Sequence, residues 1–281
     1  MQIIQKDISW LTTRVPDFMD FYNNHKYMFV NGYMAGGFLR KAVIMGSIKK
    51  AYEAIAVQDR RGDIDFFYNT QTDCTNAVDA TYTKFGVTEG RSPIPNSAAG
   101  FAWEIFETRH LNRVYSSAKY QFIYRNTGDV FTVLNKFDIS NCKIASDGKA
   151  VYMVEDWEEL EKNRIIRIDN FAGRYLILRL KKYLSNNPYE DGTKYTLTPA
   201  NRDELLIRLL ETTKEMPESV RSLIYQFPSL ISDNDLTMFY GMLGQIPASE
   251  KDGDYEGSSL SELEDFAYHM YKRNLEKSIA A

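Results

Sequence analysis

The sequence predicts an α+β protein: a mixed sheet flanked by helices over residues 1–153, then a helical domain over 154–281. Three observations predict it. An apolar stretch from Phe29 is interrupted by Gly36-Gly37 and followed by a helical pattern over Phe38 to Val43. A second strand-like segment, Asp63-Ile64-Asp65-Phe66-Phe67, places two acids on alternate positions. Past residue 155 strand-like runs give way to helical ones, with Leu176, Leu180 and Leu184 on one stripe and Arg174, Arg179, Lys181 and Lys182 around them.

Composition bounds the answer. A chain of 281 residues, 44% of them apolar, can bury a large core in one or two domains. No apolar run reaches the length that spans a bilayer, so no membrane partner is expected. Met-Gln-Ile-Ile-Gln-Lys-Asp lacks the basic-then-apolar layout of a secretory signal, and Cys74 and Cys142 are too few for a disulfide framework or a thiolate metal site. Free thiols in a reducing cytoplasm are the expectation. The formal charge of −4 argues against coating nucleic acid by bulk electrostatics. Residues 1–150 carry 18 Lys and Arg against 15 Asp and Glu, a balance of +3. The remainder carries 16 against 23, a balance of −7. Any phosphate contact is therefore local.

Taken in order, residues 1–27 read as helical, with Asp17 to Tyr22 a leading helix opened by Pro16. Met28-Phe29-Val30 and Tyr33-Met34 read as strand. The glycine pair permits positive φ and lets backbone approach a ligand, and the helix after it turns free N–H groups toward an anion. Gly46 to Val57 reads as another helix, and Gln58 to Gly62 as a polar turn whose Arg60 and Arg61 are ordinary exposed charges or nucleotide contacts. In the next strand Asp63 and Asp65 share a face while Ile64 points inward. Two like charges a few ångströms apart repel unless a cation sits between them, so the pair is either a metal site or one solvated strand face.

Residues 73–88 have helical character, 90–97 read as loop, and Phe101 to Glu107 and Lys119 to Tyr124 as strands. Asp129 to Lys136 reads as a short capped helix. Phe137 to Ala145 is strand-like and carries Asp138, and Ser146-Asp147-Gly148-Lys149 is a hairpin turn into Ala150 to Met153. Helices are expected at Asp156 to Leu160, Ala172 to Leu184, Asn201 to Thr212, Ser219 to Phe227 and Leu260 to Ile279, with an acidic linker over Asp252 to Ser259. His25, His110 and His269 are scattered, without zinc-ligand spacing.

Gly36-Gly37-Phe38-Leu39-Arg40 followed by Gly62-Asp63-Ile64-Asp65-Phe66 resembles the nucleotidyltransferase superfamily that includes DNA polymerase beta. The nearest form is that of the CCA-adding tRNA nucleotidyltransferases and poly(A) polymerases, where Gly-Gly-x-Val-Arg-Asp precedes Asp-Ile-Asp. Lys41 stands where that form has an acid, and Phe38 where many relatives have a phosphate-binding serine. Gln121-Phe122-Ile123, a short helix, then Phe137-Asp138, Cys142 and Asp147-Gly148 also resemble a group of nucleotidyltransferase-fold proteins of viruses and bacteriophages. The resemblance implies Asp63, Asp65 and Asp138 as catalytic metal ligands for two Mg²⁺ or Mn²⁺ ions. It implies Gly36, Gly37, Arg40, Lys181 and Lys182 as contacts for a nucleoside triphosphate, with the helical domain as the other wall of the cleft. It implies transfer of a nucleoside monophosphate to a hydroxyl acceptor, an RNA or tRNA 3′ end, in the cytoplasm (the host's, for a viral member). Nucleotidylation of a protein or small molecule, and a non-catalytic binding protein that kept the fold, stay open.

Overall fold

The computed structural model describes residues 2–55, 63–85, 94–95, 102–111, 114–124, 126–171, 180, 183 and 195–212. The chain divides into two compact units, Met1–Glu159 and Leu160–Ala281.

The first unit is built on an eight-stranded mixed sheet in the order β1-β8-β7-β2-β3-β6-β5-β4. The strands are β1 (Ile3–Asp7), β2 (Gly32–Ala35), β3 (Asp63–Tyr68), β4 (Ile94–Pro95), β5 (Ala102–Leu111), β6 (Val114–Ile123), β7 (Ile144–Ser146) and β8 (Ala150–Val154). Every pairing is antiparallel except β3 with β6. The helices are α1 (Ile8–Arg14), α2 (Phe18–His25), α3 (Gly37–Met45), α4 (Ile48–Glu53), α5 (Gln71–Phe85), α6 (Val130–Asn135) and α7 (Trp157–Lys162). They flank the sheet, which makes the architecture the mixed α+β one that the sequence predicts.

Alternation decides which side of β3 is core. Ile64, Phe66 and Tyr68 are fully buried on one face, in line with Tyr120 and Phe122 of β6. Phe66 stacks on Phe122 at 6.0 Å, and Phe29 meets Phe66 edge-on at 5.1 Å. The buried Tyr68 hydroxyl donates to the Met28 carbonyl at 3.0 Å, so the aromatic layer leaves no polar atom of that ring unsatisfied. Asp63, Asp65 and Phe67 take the opposite face, where Phe67 packs against Tyr33 and Phe137.

Side chains fix several helix starts. Asp7 accepts from the Ser9 N–H at 2.8 Å to open α1, and Asp129 accepts from the Thr132 N–H at 2.8 Å to open α6. Asp17 caps α4 from a distance, taking the Ser47 hydroxyl at 2.7 Å and the Ile48 and Lys49 N–H groups at 2.8 and 3.0 Å. Glu158 accepts from Lys6, the Trp10 indole and Arg14 at 3.0, 2.8 and 2.7 Å, which ties the start of α7 to β1 and α1.

Several expectations change. The first residues are not helical throughout: β1 precedes α1 and pairs with β8. Met28-Phe29-Val30 is not strand but the end and exit of a 3₁₀ turn over Lys26–Phe29, because β2 starts only at Gly32 after Asn31 takes a left-handed φ of 53°. Phe137 to Ala145 is not one strand: Ile139 makes an isolated bridge, a 3₁₀ turn, Ser140–Cys142, intervenes, and the strand itself is Ile144–Ser146. In the second unit a short parallel pair, β9 (Ile165–Ile166) with β10 (Thr196–Leu197), joins α8 (Pro199–Thr212), so that unit is not purely helical. Asn201 holds the pair to the helix, accepting from the Ile168 N–H at 2.8 Å and donating to its carbonyl at 2.9 Å. The expected helices at 172–184, 219–227 and 260–279 lie in whole or in large part outside the described residues.

Candidate functional site

β2 ends at Ala35, and the chain must turn at once into α3. Gly36 makes that turn with φ 89° and ψ −149°, a conformation closed to residues with a Cβ. Its N–H donates to the Ile144 carbonyl of β7 at 3.0 Å, and its carbonyl receives the Arg40 N–H at 3.1 Å, so the turn is locked on both sides. Gly37 is the first helical residue and is exposed, while Gly36 is buried. No side chain caps α3, so the first N–H groups of this nine-residue helix are not claimed by a capping residue.

The register brings the two sequence motifs together. Ala35 of β2 pairs with Asp65 of β3 and with Ala145 of β7. A Cβ placed on Gly36 would lie 3.8 Å from Asp65 Oδ2 and 3.5 Å from the Phe137 ring. Asp65 thus reaches the glycine turn itself, and Asp63 stands one row further along the same face. Both residues are partly exposed, although Asp65 Oδ1 is itself buried, and Ile64 is fully buried between them.

Asp138 comes from a different segment. It lies ahead of the Ser140–Cys142 turn, 5% exposed, in the segment that leads into β7, and β7 borders β2 rather than β3. Among the described residues no three His, Cys, Asp or Glu side chains gather closely enough to hold a metal ion. The neighbours of β3 supply no acid at the level of the pair: β6 brings Lys119 opposite Asp63 and Gln121 opposite Asp65. Glu104 stands level with Gln121 one strand further out, on β5. Residue types settle what the pair could hold. Two carboxylates with no sulfur or imidazole suit a hard divalent ion that completes its shell with phosphate oxygens, and they do not make a closed cage for it.

Arg40 is buried at 3% exposure in the first turn of α3, and Lys143 at 4% lies one residue from the carbonyl that holds Gly36. Sequence reasoning singled out Arg40 and missed Lys143 and Glu104; a lysine in an apolar run, Cys142-Lys143-Ile144-Ala145, was the available signal for the first. Lys181 and Lys182, like Arg60 and Arg61, lie outside the described residues. His25 is structural: its Nδ1 lies 2.9 Å from the Phe21 carbonyl and its ring stacks on Phe21 at 4.3 Å.

No family model matches the sequence, and no curated protein matches it. Among solved structures the chain is similar to the Thermotoga maritima CCA-adding enzyme complexed with tRNA, at 16% identity and a TM-score of 0.45 over 90% of this chain and 58% of that one. It is similar also to a CCA-adding enzyme in complex with ATP, at 15% identity and a TM-score of 0.47 over 96% of this chain and 66% of that one. The chain spans 58% to 66% of the length of these enzymes. The likeness concerns the fold alone.

Proposed function

We propose that the chain is a nucleotidyltransferase, moving a nucleoside monophosphate from a nucleoside triphosphate to a hydroxyl acceptor. The observation that carries this reading is the approach of Asp65 Oδ2 to the Gly36 turn, 3.8 Å from where a Cβ would stand, with Asp63 on the same face. A phosphate seated on the N–H groups at the start of α3 would stand beside the turn that Asp65 reaches.

Asp63 and Asp65 would hold a divalent ion, Mg²⁺ or Mn²⁺, jointly with the phosphate oxygens. Bound there, such an ion supplies Lewis-acid stabilisation of charge on the phosphoryl oxygens. Gly36 and Gly37 would present backbone to the triphosphate without side-chain obstruction, and Arg40, in the first turn of α3, is a proposed contact for it. Asp138 is the third acid of the proposal and takes the proton of the attacking hydroxyl. The new O–P bond forms at the α-phosphorus, the bond to the β-phosphate breaks, and pyrophosphate leaves. Lys181 and Lys182 are proposed contacts from the second unit. An RNA or tRNA 3′ end is the proposed acceptor, on the resemblance of the motifs.

The test is incubation with each labelled triphosphate, Mg²⁺ or Mn²⁺ and total RNA. Label is expected in the nucleic-acid fraction with the wild type and in none with Asp63→Asn or Asp65→Asn, each of which should stay folded and lose no stability, since removing one charge relieves repulsion. Transfer surviving in the double Asn variant sinks the reading. Label in protein or in a small molecule instead of RNA reassigns the acceptor.

A second reading is a nucleotide-binding protein that kept the fold without catalysis. Lys119 and Gln121, standing where an acid beside the pair would complete a three-carboxylate site, favour it. Nucleotide binding without any transfer would decide for it.

A further inference from the structure

A cleft of about 500 Å³ opens at the opposite end of β2 from the glycine turn. Gly32 and Tyr33 line it, so along the strand it stands roughly 13 Å from Gly36. Its walls come from α2 and the 3₁₀ turn that follows, from Asn69 after β3, from the start of α6, and from the turn between β7 and β8. That last turn is fixed in place: Gly148 has φ 84°, and any Cβ there would collide with the Tyr22 ring.

Hydrogen bonding sorts the lining side chains into two groups. The acids are engaged. Asp129 takes the Thr132 N–H at 2.8 Å and its hydroxyl at 3.0 Å. Asp147 Oδ1 takes the N–H groups of Lys149 and Ala150, both at 2.8 Å, and its Oδ2 faces the Tyr152 hydroxyl at 3.4 Å. Some donors are engaged as well: the Tyr33 hydroxyl donates to the Gly128 carbonyl at 3.0 Å and the Asn31 side-chain amide to Asp73 at 2.9 Å. Four others are not: the ammonium groups of Lys26 and Lys149, the Tyr22 hydroxyl and the Asn69 side-chain amide make no hydrogen bond or ion pair among the described residues. Two lysines and two aspartates cancel formally, so bulk attraction is not what would fill the cleft. Unmatched donors along its walls are.

Apolar surface accompanies them. Val30 lines the cleft and is 60% exposed, and Phe131, 41% exposed, packs edge-on against the lining Tyr152 at 5.6 Å. Those two are the exposed large apolar side chains among the described residues, and both border this one cleft. Water-facing apolar carbon and aromatic edges beside free ammonium groups fit an acceptor-rich anion that carries a planar ring.

We propose that this cleft is a second ligand site that binds a nucleotide through its phosphate. Lys26 and Lys149 meet phosphate oxygens, Tyr22 and Asn69 meet the remaining acceptors, and the base lies against Val30 and the Tyr152 edge. The volume is that of an ordinary small-molecule site. The site needs neither a metal ion nor transfer chemistry, and it stands or falls apart from the glycine turn. A free nucleotide and the phosphorylated end of a strand offer it the same chemistry.

The test is calorimetric titration of the full chain in chelator with AMP, adenosine and a 5′-phosphorylated ten-nucleotide RNA, repeated with Lys26→Gln/Lys149→Gln and with Gly37→Val. Both lysines are exposed, so the double variant keeps the fold. AMP is expected to bind, adenosine to bind far more weakly, the lysine pair to weaken AMP about tenfold or more, and Gly37→Val to leave it unchanged. Tighter binding of the RNA than of AMP identifies a strand end as the ligand, and equal or weaker binding a free nucleotide; either supports the site. Absence of binding by AMP and RNA alike overturns the proposal. So does undiminished affinity in the lysine variant, or loss on Gly37→Val alone, which would assign the ligand to the glycine turn.

Discussion

Replacing Gly36 by alanine separates the two glycines of the turn by a measurable amount. Gly36 sits at φ 89° and ψ −149°, and a Cβ there finds only ordinary contacts, 3.5 Å to the Phe137 ring and 3.8 Å to Asp65 Oδ2. The cost is therefore conformational: about 1–3 kcal/mol for holding a non-glycine residue there. Alanine recovers about 0.4–1 kcal/mol by restricting the unfolded chain. At mid-range the net loss is roughly 1.3 kcal/mol, which at a slope of about 2 kcal/mol/M lowers a urea midpoint by roughly 0.6 M. Gly37 is helical with no positive φ, so Gly37→Ala should be neutral or should gain up to about 1 kcal/mol. Trp10, Trp103 and Trp157 all belong to the first unit, so tryptophan fluorescence follows the unit that holds the turn. An unchanged midpoint in Gly36→Ala, or equal losses in both variants, would refute the assignment of the strained position.

Asp17→Asn should cost about 1 kcal/mol, because the carboxylate takes three donors at the start of α4. Burial opposes its ionisation, but the bonds from Lys49, Ser47 and Ile48 win and hold its pKa below the usual value, so its contribution is present above the unfolded value and is lost as pH falls through the folded one. The wild-type advantage over Asp17→Asn in urea midpoint should accordingly shrink on acidification from pH ~5 downward; a difference that grows there contradicts the geometry. Burial pushes the Cys74 thiol up to about 12, so it should resist a thiol reagent at pH ~8 until the first unit unfolds, and rapid labelling of native protein would contradict its buried place in α5. For the RNA reading, affinity should fall with salt at a slope of about −1.5 to −3, as two to four phosphate contacts imply. Lys181→Gln/Lys182→Gln should flatten that slope if the pair touches acceptor RNA, and should raise the triphosphate KM if it touches nucleotide.

Local chemistry was legible in the sequence; long-range pairing was not. The glycine pair, the alternation of Asp63 and Asp65, the cap at Asp129 and the turn at Gly148 are each set by residues within a few positions, and each appears as read. The strand β1 was missed because its partner lies about 150 residues away and Ile-Ile-Gln-Lys-Asp has no strict alternation of its own. Met28-Phe29-Val30 misled because a short apolar run fits a buried turn as well as a strand. Motif order does not state which strand pairs with which, and the topology sets β2 between β3 and β7. The burial of Lys143 was signalled only by the short apolar run that holds it.

The pairing of β1 with β8 also sets a timetable for synthesis. Ile3 meets Val154 and Asp7 meets Ala150, so the outer strand is made long before the strand that receives it. At about 5–20 residues per second the ribosome keeps β1 waiting roughly 8–30 s. During that interval Ile3 and Ile4 have no sheet to join, and a nascent chain offers them to any passing edge. Once β8 arrives, β1 in turn hides it. A chain shortened by its first eight residues would leave the apolar backbone of Ala150 to Val154 as the new border of the sheet, inviting self-association. Soluble yield on truncation therefore reports on this strand more directly than activity does.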